Sequence, residues 1–284
     1  MKFSFYFVKV MTKEIPQHNP QQQAKIDQMK KAWAQKRAVS KNLDSIANKI
    51  GVYSGKGGVG KTTFTINLAA TLADQGAKVG VLDVDIDCPN VVRMMNITER
   101  PLHGESNRII PPEKFGVKVM SMGFFQQNED EAIIMRGPMI HNAINQLLQL
   151  TEWGDLDYLL VDLPPGTSDS PLTVMQTMTL DGFVVVTTPQ DLANLDAKRS
   201  VNMIRKLKLD VLGVIENFSG GVFGSGGGAN LADQLEVMFL GDISLRAEYQ
   251  DISKPTVLTN DSIMNEYKVA LDKTKEALNL LKEK

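Results

Sequence analysis

The chain has 284 residues, of which 43% are hydrophobic, and its formal net charge is −2 at pH 7. A chain of this length and composition can bury a sizeable core, in one large α/β domain or in two smaller domains. The small net charge argues against non-specific binding of nucleic acid or of a membrane by the body of the protein. No apolar stretch approaches the roughly 20 residues that span a bilayer, so a membrane-spanning helix is not predicted.

The cysteine content and the first residues bear on location. The only cysteine, Cys88, excludes an intramolecular disulfide framework and favours a reducing, cytoplasmic setting. Residues 3–10 are apolar, but the stretch is short and no small-residue cleavage site follows it, so a signal peptide is not predicted. Met11 is an alternative start of the chain to Met1.

A basic helix is predicted from Ala24 to Val39, with Ile26, Met29 and Trp33 on one narrow face. Two interpretations of this face are open. It binds a partner or an anionic surface, or it packs on the domain while the charged side chains face water. The second is preferred, because a single narrow apolar stripe is usual for a surface helix.

The glycine-rich segment 54–63 is the most informative part of the sequence. It fits the pattern G-x-x-x-x-G-K-[ST], with Gly55, Gly60, Lys61 and Thr62 at the fixed positions. A short apolar strand precedes it and a helical pattern follows, so a chance glycine-rich turn is disfavoured. In this motif the lysine reaches the β- and γ-phosphates of a nucleotide, and the threonine hydroxyl binds Mg²⁺. The residues expected to bind the nucleotide are Gly55, Lys56, Gly57, Gly58, Val59, Gly60, Lys61, Thr62 and Thr63.

Strand-like apolar stretches alternate with helical patterns along the rest of the chain. This alternation predicts an α/β fold, a mostly parallel, doubly wound P-loop sheet with helices on both faces. Residues 1–45 are predicted to be a polar extension that contains the basic helix, and residues 46–284 the P-loop domain. Predicted strands include Ile50–Tyr53, Val79–Leu82, Val117–Met120, Tyr158–Val161 and Val211–Glu216. A last helix, at about Asp261–Glu283, is predicted to pack in the core or in a dimer.

Acidic residues follow two of the predicted strands. Asp83 and Asp85 come at the end of the second strand, and Asp162 ends the strand that begins at Tyr158. Ligands of open α/β sheets bind at the carboxyl ends of the strands, so these side chains are candidates for positioning metal and water. In a P-loop site, Asp162 would hold Mg²⁺ through its water shell, and Gly166 would let the next loop sense the γ-phosphate.

The loop K-G-G-V-G-K-T carries a second lysine, Lys56, directly after Gly55. It resembles the deviant P-loop ATPases, which include the nitrogenase iron protein, the septum-site and partition ATPases and the Mrp-type iron–sulfur carriers. The resemblance implies a homodimer that closes over two ATP molecules, with Lys56 contacting the phosphates held by the other subunit. It also implies that Asp85 orients the attacking water and that Asp83 supports the Mg²⁺ shell. The alternative for Lys56 is a solvated loop charge.

Longer motifs resemble the Mrp-type ATPases specifically. They are W-G-D-L-D-Y at 153–158 leading into D-L-P-P-G-T at 162–167, R-G-P at 136–138, and F-V-V-V-T-T-P-Q-D at 183–191. The resemblance covers about residues 45–260. It implies ATP binding, slow ATP hydrolysis, and carriage of an iron–sulfur cluster to apoprotein recipients or assembly factors.

Two residues at the far side of the predicted site, Asn217 and Pro189, are expected to contact the adenine base of the nucleotide. In the deviant P-loop ATPases the residue that matches Asn217 hydrogen-bonds the adenine, and an amide has the donor and acceptor for that contact. Pro189 ends the preceding strand at the same edge of the sheet, where a base would rest. The alternative for Asn217 is a turn residue at the end of a strand.

The sequence departs from the Mrp pattern at the cluster ligands. Mrp-type proteins carry a C-x-x-C pair after N-M-S, whereas here N-F-S is followed by glycine and serine, and residues 221–228 are predicted to be a mobile loop. A [4Fe–4S] cluster usually takes four thiolates, and a dimer of this chain offers two Cys88 thiols. Cys88 is predicted to be a buried or half-buried packing residue, and no cluster ligand is identified. Two functions are therefore open: an ATP-dependent iron–sulfur carrier or scaffold, and an ATP-dependent switch or partner-binding protein without metal cargo.

Overall fold

The computed structural model describes residues 20–126 and 137–283. Its helices are α1 (Pro20–Leu43), α2 (Lys61–Asp74), α3 (Val91–Met94), α4 (Gly137–Leu150), α5 (Asp169–Thr177), α6 (Asp191–Lys206), α7 (Gly227–Leu235) and α8 (Asp261–Lys282). Its strands are β1 (Ile46–Tyr53), β2 (Val79–Asp83), β3 (Leu102–His103), β4 (Ile109–Ile110), β5 (Glu113–Lys114), β6 (Val117–Ser121), β7 (Leu156–Asp162), β8 (Gly182–Thr187), β9 (Val211–Ser219) and β10 (Phe239–Ser244). None of the helices within these residues has the length and apolar character needed to cross a bilayer.

Eight of the strands form one sheet in the order β10-β9-β8-β1-β7-β2-β6-β5. All neighbours in this sheet are parallel except β5, which pairs antiparallel with β6 at the edge. Strands β3 and β4 form a separate antiparallel pair. The predicted α/β class with a mostly parallel sheet is thereby confirmed.

The sheet is covered on both faces because side chains alternate along each strand. In β8, Val184 and Val186 join a core with α2, α3 and α8, whereas Phe183 and Val185 join a second core. The second core contains side chains of α4, α5, α6 and α7, together with Val39 and Leu43 of α1. A buried side chain of this kind stabilises the fold by about 1.5–3 kcal/mol, so both cores hold the sheet rigid beneath its loops.

The glycine-rich segment after β9 is more ordered than predicted. Residues 221–223 form a 3₁₀ turn, and α7 already begins at Gly227. The reason is Glu216, whose carboxylate accepts the backbone N–H groups of Gly226 at 3.0 Å and Gly228 at 2.6 Å. A carboxylate at a helix N-terminus satisfies amides that otherwise lack partners. The prediction of a mobile loop over 221–228 was therefore wrong for its second half.

The basic helix is longer than the predicted segment. Its apolar face is not packed against the described part of the domain, contrary to the preferred interpretation. Val39 and Leu43 near its end are buried, but Met29 is 71% exposed and Trp33 75% exposed. Among the residues that the structure describes, the apolar stripe thus lacks a cover, and the preferred interpretation that it packs on the domain was wrong. The polar residues before Val39 extend the helix beyond the reach of the core.

The strand order brings the predicted acidic residues together. Strand β7 lies between β1 and β2, and Asp83 and Asp162 face each other in the register of β2 and β7. The segment that follows β1 leaves the sheet beside them, since Val52 pairs with Asp162. The carboxyl ends of three neighbouring strands therefore define one place for a site.

Candidate nucleotide-binding site

The glycine-rich loop links β1 to α2 over these carboxylates. Gly60, the residue before α2, has a φ angle of 79°, in the left-handed region that favours glycine. A Cβ at Gly60 would overlap the Asn217 amide, and a Cβ at Gly55 would overlap the backbone carbonyl of Asp196. The two fixed glycines of the motif are thus required by close packing on β9 and α6.

A cleft of about 380 Å³ opens above the loop. The loop forms one wall, segment 85–90 a second, and Pro164, Pro165 and Ser168 a third. Of the predicted site residues, Lys56, Gly57, Gly58, Gly60, Lys61, Thr62, Thr63 and Asp85 line this cleft, whereas Gly55, Val59, Asp83, Asp162, Pro189 and Asn217 lie outside its lining.

Three side chains of α2 converge on Asp162, which is buried beneath the lining of the cleft. Lys61 Nζ lies 2.9 Å from one carboxylate oxygen. Thr62 Oγ1 donates to the other oxygen, Oδ2, at 2.6 Å. Thr65 Oγ1 donates at 2.9 Å to Oδ1, the oxygen that lies near Lys61. Because Asp162 is fully buried, these contacts compensate the cost of removing its charge from water.

The Lys61 ammonium is placed to donate hydrogen bonds to an anion in the cleft. It is 6% exposed, and although it lies against Asp162, its Nζ has no hydrogen-bond partner of acceptable geometry among the described residues. A buried ammonium with unused donors is costly, and phosphate oxygens in the cleft would accept them. Thr62 and Asp162 add a hydroxyl and a carboxylate, the oxygen ligands that Mg²⁺ prefers. The residues present therefore fit both a nucleotide phosphate and Mg²⁺.

Asp83 contacts the segment that forms the second wall of the cleft, and its support of the Mg²⁺ shell stays a prediction. It is fully buried, and its carboxylate accepts the Asp85 N–H at 3.0 Å, the Ser121 hydroxyl at 2.9 Å and the Val91 N–H at 3.3 Å. Burial and, to a smaller extent, the nearby charge of Asp162 together raise the pKa of Asp83 to about 7. Its contacts make it an anchor for the second wall of the cleft.

Asp85 and Asp87 are the acidic residues that line the cleft, and Asp85 is the buried one of the two. Its side chain is 7% exposed, and Oδ1 accepts the Cys88 N–H at 3.2 Å. Burial raises the pKa of Asp85, while the Lys61 charge opposes that shift. A carboxylate with a raised pKa is a better proton acceptor than an exposed one, and its position allows it to orient a water molecule.

Cys88 is exposed at the lip of the same cleft, so the prediction of a buried packing residue was wrong. Val84 and Ile86 take the buried positions of this segment, and the chain then turns outward at Asp87. Because the hydrogen bonds to Asp83 and Asp85 hold the turn, Cys88 is carried outside the core.

Asn217 and Pro189 lie at the other side of the loop. Asn217 is 1% exposed and its Nδ2 donates to the Val59 carbonyl at 2.9 Å. It lies inside β9, which runs on to Ser219, and so it supports the loop from beneath. The Pro189 carbonyl accepts a long hydrogen bond from Asn194 on α6. A contact of either residue with adenine stays a prediction.

Tyr53, the last residue of β1, is a residue of the site that the sequence reasoning missed. Its side chain is fully buried and its hydroxyl donates to the Gly166 carbonyl. The Gly166 N–H in turn donates to the Ser54 carbonyl at 3.0 Å. Burial raises the pKa of Tyr53 to about 12, so the hydroxyl stays protonated as a donor. A tyrosine that ends a buried strand was the available signal, because its hydroxyl must find an acceptor.

Comparisons with known proteins agree with this geometry. Residues 45–278 match the ParA family profile described as "NUBPL iron-transfer P-loop NTPase". The chain belongs to this family. It is 40% identical over 270 residues to the iron-sulfur cluster carrier protein of Methanocaldococcus jannaschii, covering 89% of this chain and 93% of that protein. It is 42% identical over 232 residues to the iron-sulfur cluster transfer protein NUBPL of Dictyostelium discoideum, covering 76% and 72%.

A solved structure supports nucleotide binding at the same fold. The nucleotide-binding protein of Archaeoglobus fulgidus, in complex with ADP, is 34% identical and superposes with a TM-score of 0.68. The match covers 78% of this chain and 91% of that protein. The present chain thus belongs to a family of P-loop NTPases and has the fold and the glycine-rich loop of a nucleotide-binding protein.

Proposed function

We propose that the protein binds ATP and Mg²⁺ in the cleft, hydrolyses ATP slowly as a homodimer, and uses the nucleotide state to deliver iron–sulfur clusters to apoproteins. The observation that carries the proposal is the convergence of Lys61 and Thr62 on Asp162 beneath the cleft, where Lys61 Nζ has no hydrogen-bond partner of acceptable geometry among the described residues. A phosphate group bound there would meet a buried positive charge, a hydroxyl and the N-terminus of α2.

Phosphoryl transfer needs positioning and charge neutralisation more than covalent chemistry. Lys61 would hold the β- and γ-phosphates, and its charge would offset the charge that develops on the γ-phosphoryl oxygens. Thr62 and Asp162 would hold Mg²⁺, which supplies further charge neutralisation when bound. Asp85 would orient the attacking water, with Asp83 fixing the segment that carries it.

The loop after β7 provides a way to sense the γ-phosphate. Gly166 is held at both of its backbone polar groups: its carbonyl accepts the Tyr53 hydroxyl, and its N–H donates to the Ser54 carbonyl. Pro164 and Pro165 stiffen the approach to it. Release of the Gly166 N–H toward the γ-phosphate would require the Ser54 contact to break, and Tyr53 would return the loop after hydrolysis.

The position of Lys56 is the basis for proposing a homodimer. It is half-buried and lines the cleft, and it follows Gly55 as in the deviant P-loop ATPases. In a closed homodimer Lys56 would reach the phosphates of the other subunit, so dimerisation would depend on ATP.

The cargo is proposed from relatives named for iron–sulfur carriage and transfer. Each chain supplies one thiolate, Cys88 at the lip of the cleft, whereas a cluster usually takes four. The remaining ligands would come from a recipient or an assembly factor. A reducing, cytoplasmic location would keep this thiol available. The single cysteine also favours a second candidate function, an ATP-dependent switch that binds a partner without metal cargo.

Two anaerobic assays separate these functions. The first measures phosphate release from ATP with Mg²⁺ and with a chelator; turnover that needs Mg²⁺ and is lost in Lys61→Ala is expected. The second adds iron, sulfide and an apoprotein that accepts a [4Fe–4S] cluster, and follows its visible absorbance. Faster cluster acquisition with the wild-type protein and ATP than with Lys61→Ala supports delivery. ATP turnover without any such acceleration would reject delivery and leave the switch.

A further inference from the structure

The first turns of α1, up to Ala38, form a basic arm that stands outside both cores. Every described side chain from Gln23 to Ala38 is exposed or half-buried, and Val39 is the first buried one. Val39 and Leu43 anchor the helix to the domain by packing near α4. The arm is therefore fixed at one end and presents its surface to the surroundings.

The arm carries a narrow apolar stripe. At about 100° per residue, Ile26, Met29 and Trp33 fall within an arc of about 60°. Met29 is 71% exposed and Trp33 75% exposed, which is unusual for side chains of this size on one face. The anchoring residues Val39 and Leu43 lie about 80° and about 40° beyond the Met29 edge of the stripe. Among the described residues, Met29 and Trp33 stay exposed while the helix is anchored.

Cationic side chains border the stripe on both sides. Lys25 and Lys36 lie within about 40° of one edge, and Lys30 and Arg37 within about 40° of the other. The only acidic residue of the helix, Asp27, lies about 100° beyond the stripe. The helix holds six lysine or arginine residues, while the whole chain has a net charge of −2, so the rest of the chain is acidic.

We propose that this basic arm docks on an anionic phospholipid surface. The apolar stripe would enter the boundary between head groups and acyl chains, and the bordering lysine and arginine side chains would extend along it to the lipid phosphates. The distribution of charge selects this occupant over a second copy of the arm, because two such helices would bring their cations together. The acidic remainder of the chain would be repelled, which keeps the body off the surface while the arm is bound.

The chain offers a direct readout of docking. It has two tryptophans; Trp153 is buried at 1% exposure, so only Trp33 changes its surroundings on binding. Full-length protein is mixed with vesicles of phosphatidylcholine alone or of phosphatidylcholine with about one-third phosphatidylglycerol. Flotation with the anionic vesicles, a blue shift of tryptophan emission, and loss of both in high salt are expected.

Matched variants assign the binding to the stripe and to its border. Met29→Gln with Trp33→Gln, and separately Lys30→Glu with Arg37→Glu, are expected to reduce flotation by about tenfold each. The controls change exposed residues elsewhere: Val269→Gln with Leu280→Gln, and Lys206→Glu with Lys254→Glu. The controls should float like the wild type, and the thermal midpoint and ATP affinity of all four variants should be unchanged.

Two results would overturn the proposal. One is no flotation of the wild type with anionic vesicles at low salt. The other is a Trp33 blue shift with an acidic polypeptide such as polyglutamate but not with vesicles, which would assign the arm to an acidic protein partner instead.

Discussion

The two halves of the carboxyl edge of the sheet differ in what their side chains can bind. Beyond β1, β2 and β7, the buried charges of Lys61 and Asp162 lie 2.9 Å apart, and the Thr62 hydroxyl donates to Asp162. Beyond β9, a glycine-rich turn exposes Val222 at 92% and Phe223 at 40%. The first half, which we call the nucleotide half, holds polar side chains that converge on one point. The second, which we call the glycine half, exposes apolar side chains. The described residues of the nucleotide half therefore fit a nucleotide, whereas the glycine half, residues 217–228, includes no cysteine that could bind a cluster.

The largest effect is expected from Lys61→Ala. The ammonium would make more than one charged hydrogen bond to phosphate, each contributing about 1.5–3 kcal/mol, so ATP affinity should fall at least about 100-fold. Isothermal titration calorimetry with ATP checks this. The fold should survive, because Thr62 and Thr65 still donate to Asp162. An affinity within threefold of wild type would show that the nucleotide half does not depend on this cation.

Lys56→Ala separates binding from dimerisation. Because Lys56 is proposed to act on the other subunit's nucleotide, ATP affinity of the monomer should change by less than about threefold, roughly 0.7 kcal/mol. ATP-driven dimerisation, followed by light scattering, should be lost. Unchanged dimerisation in this variant would refute the contact across subunits and return Lys56 to a solvated loop charge.

Tyr53→Phe tests the contact between the end of β1 and Gly166. Loss of one buried hydrogen bond should lower the free energy of unfolding by about 1 kcal/mol and leave the Gly166 carbonyl unpaired. Hydrogen exchange of residues 163–168 should become faster, and the ratio of ATP to ADP affinity should change. The matched control is Tyr158→Phe on β7, which should leave both quantities unaltered; equal exchange in both variants would dismiss the role of Tyr53.

The smallest effect is expected in the glycine half. Val222→Ser with Phe223→Ser should alter the free energy of unfolding by less than about 0.5 kcal/mol, because both side chains are exposed. ATP affinity should also be unchanged, as measured by calorimetry. A fivefold loss of affinity would mean that the two halves are not separate and that the turn contributes to the nucleotide site.

Local patterns were enough to predict the nucleotide half. The glycine-lysine motif lies between a strand and a helix, and Asp162 ends an apolar strand, so parallel pairing alone brings them to one edge. The fold class followed from the alternation of strands and helices, and the family comparisons confirm it. The separate extension at residues 1–45 stays a prediction.

Contacts between distant segments could not be predicted. The Tyr53 hydroxyl meets a carbonyl 113 residues away, and the Asn217 amide meets one 158 residues away. The periodicity of apolar residues predicts helices and strands, but it does not predict which distant residues contact each other. Cys88 was misplaced because its exposure depends on hydrogen bonds of the turn to Asp83 and Asp85. The stripe at Met29 and Trp33 was misplaced because a narrow apolar face fits a core and an external surface equally well.

Anaerobic iron–sulfur reconstitution of the purified protein, read as iron per dimer beside ATP turnover of the same sample, tests the central claim most directly. The account predicts Mg²⁺-dependent turnover and less than one stable cluster per dimer, because each chain gives one thiolate. A stable cluster with four irons per dimer that disappears in Cys88→Ser would contradict it, since the chain alone would then hold the cargo.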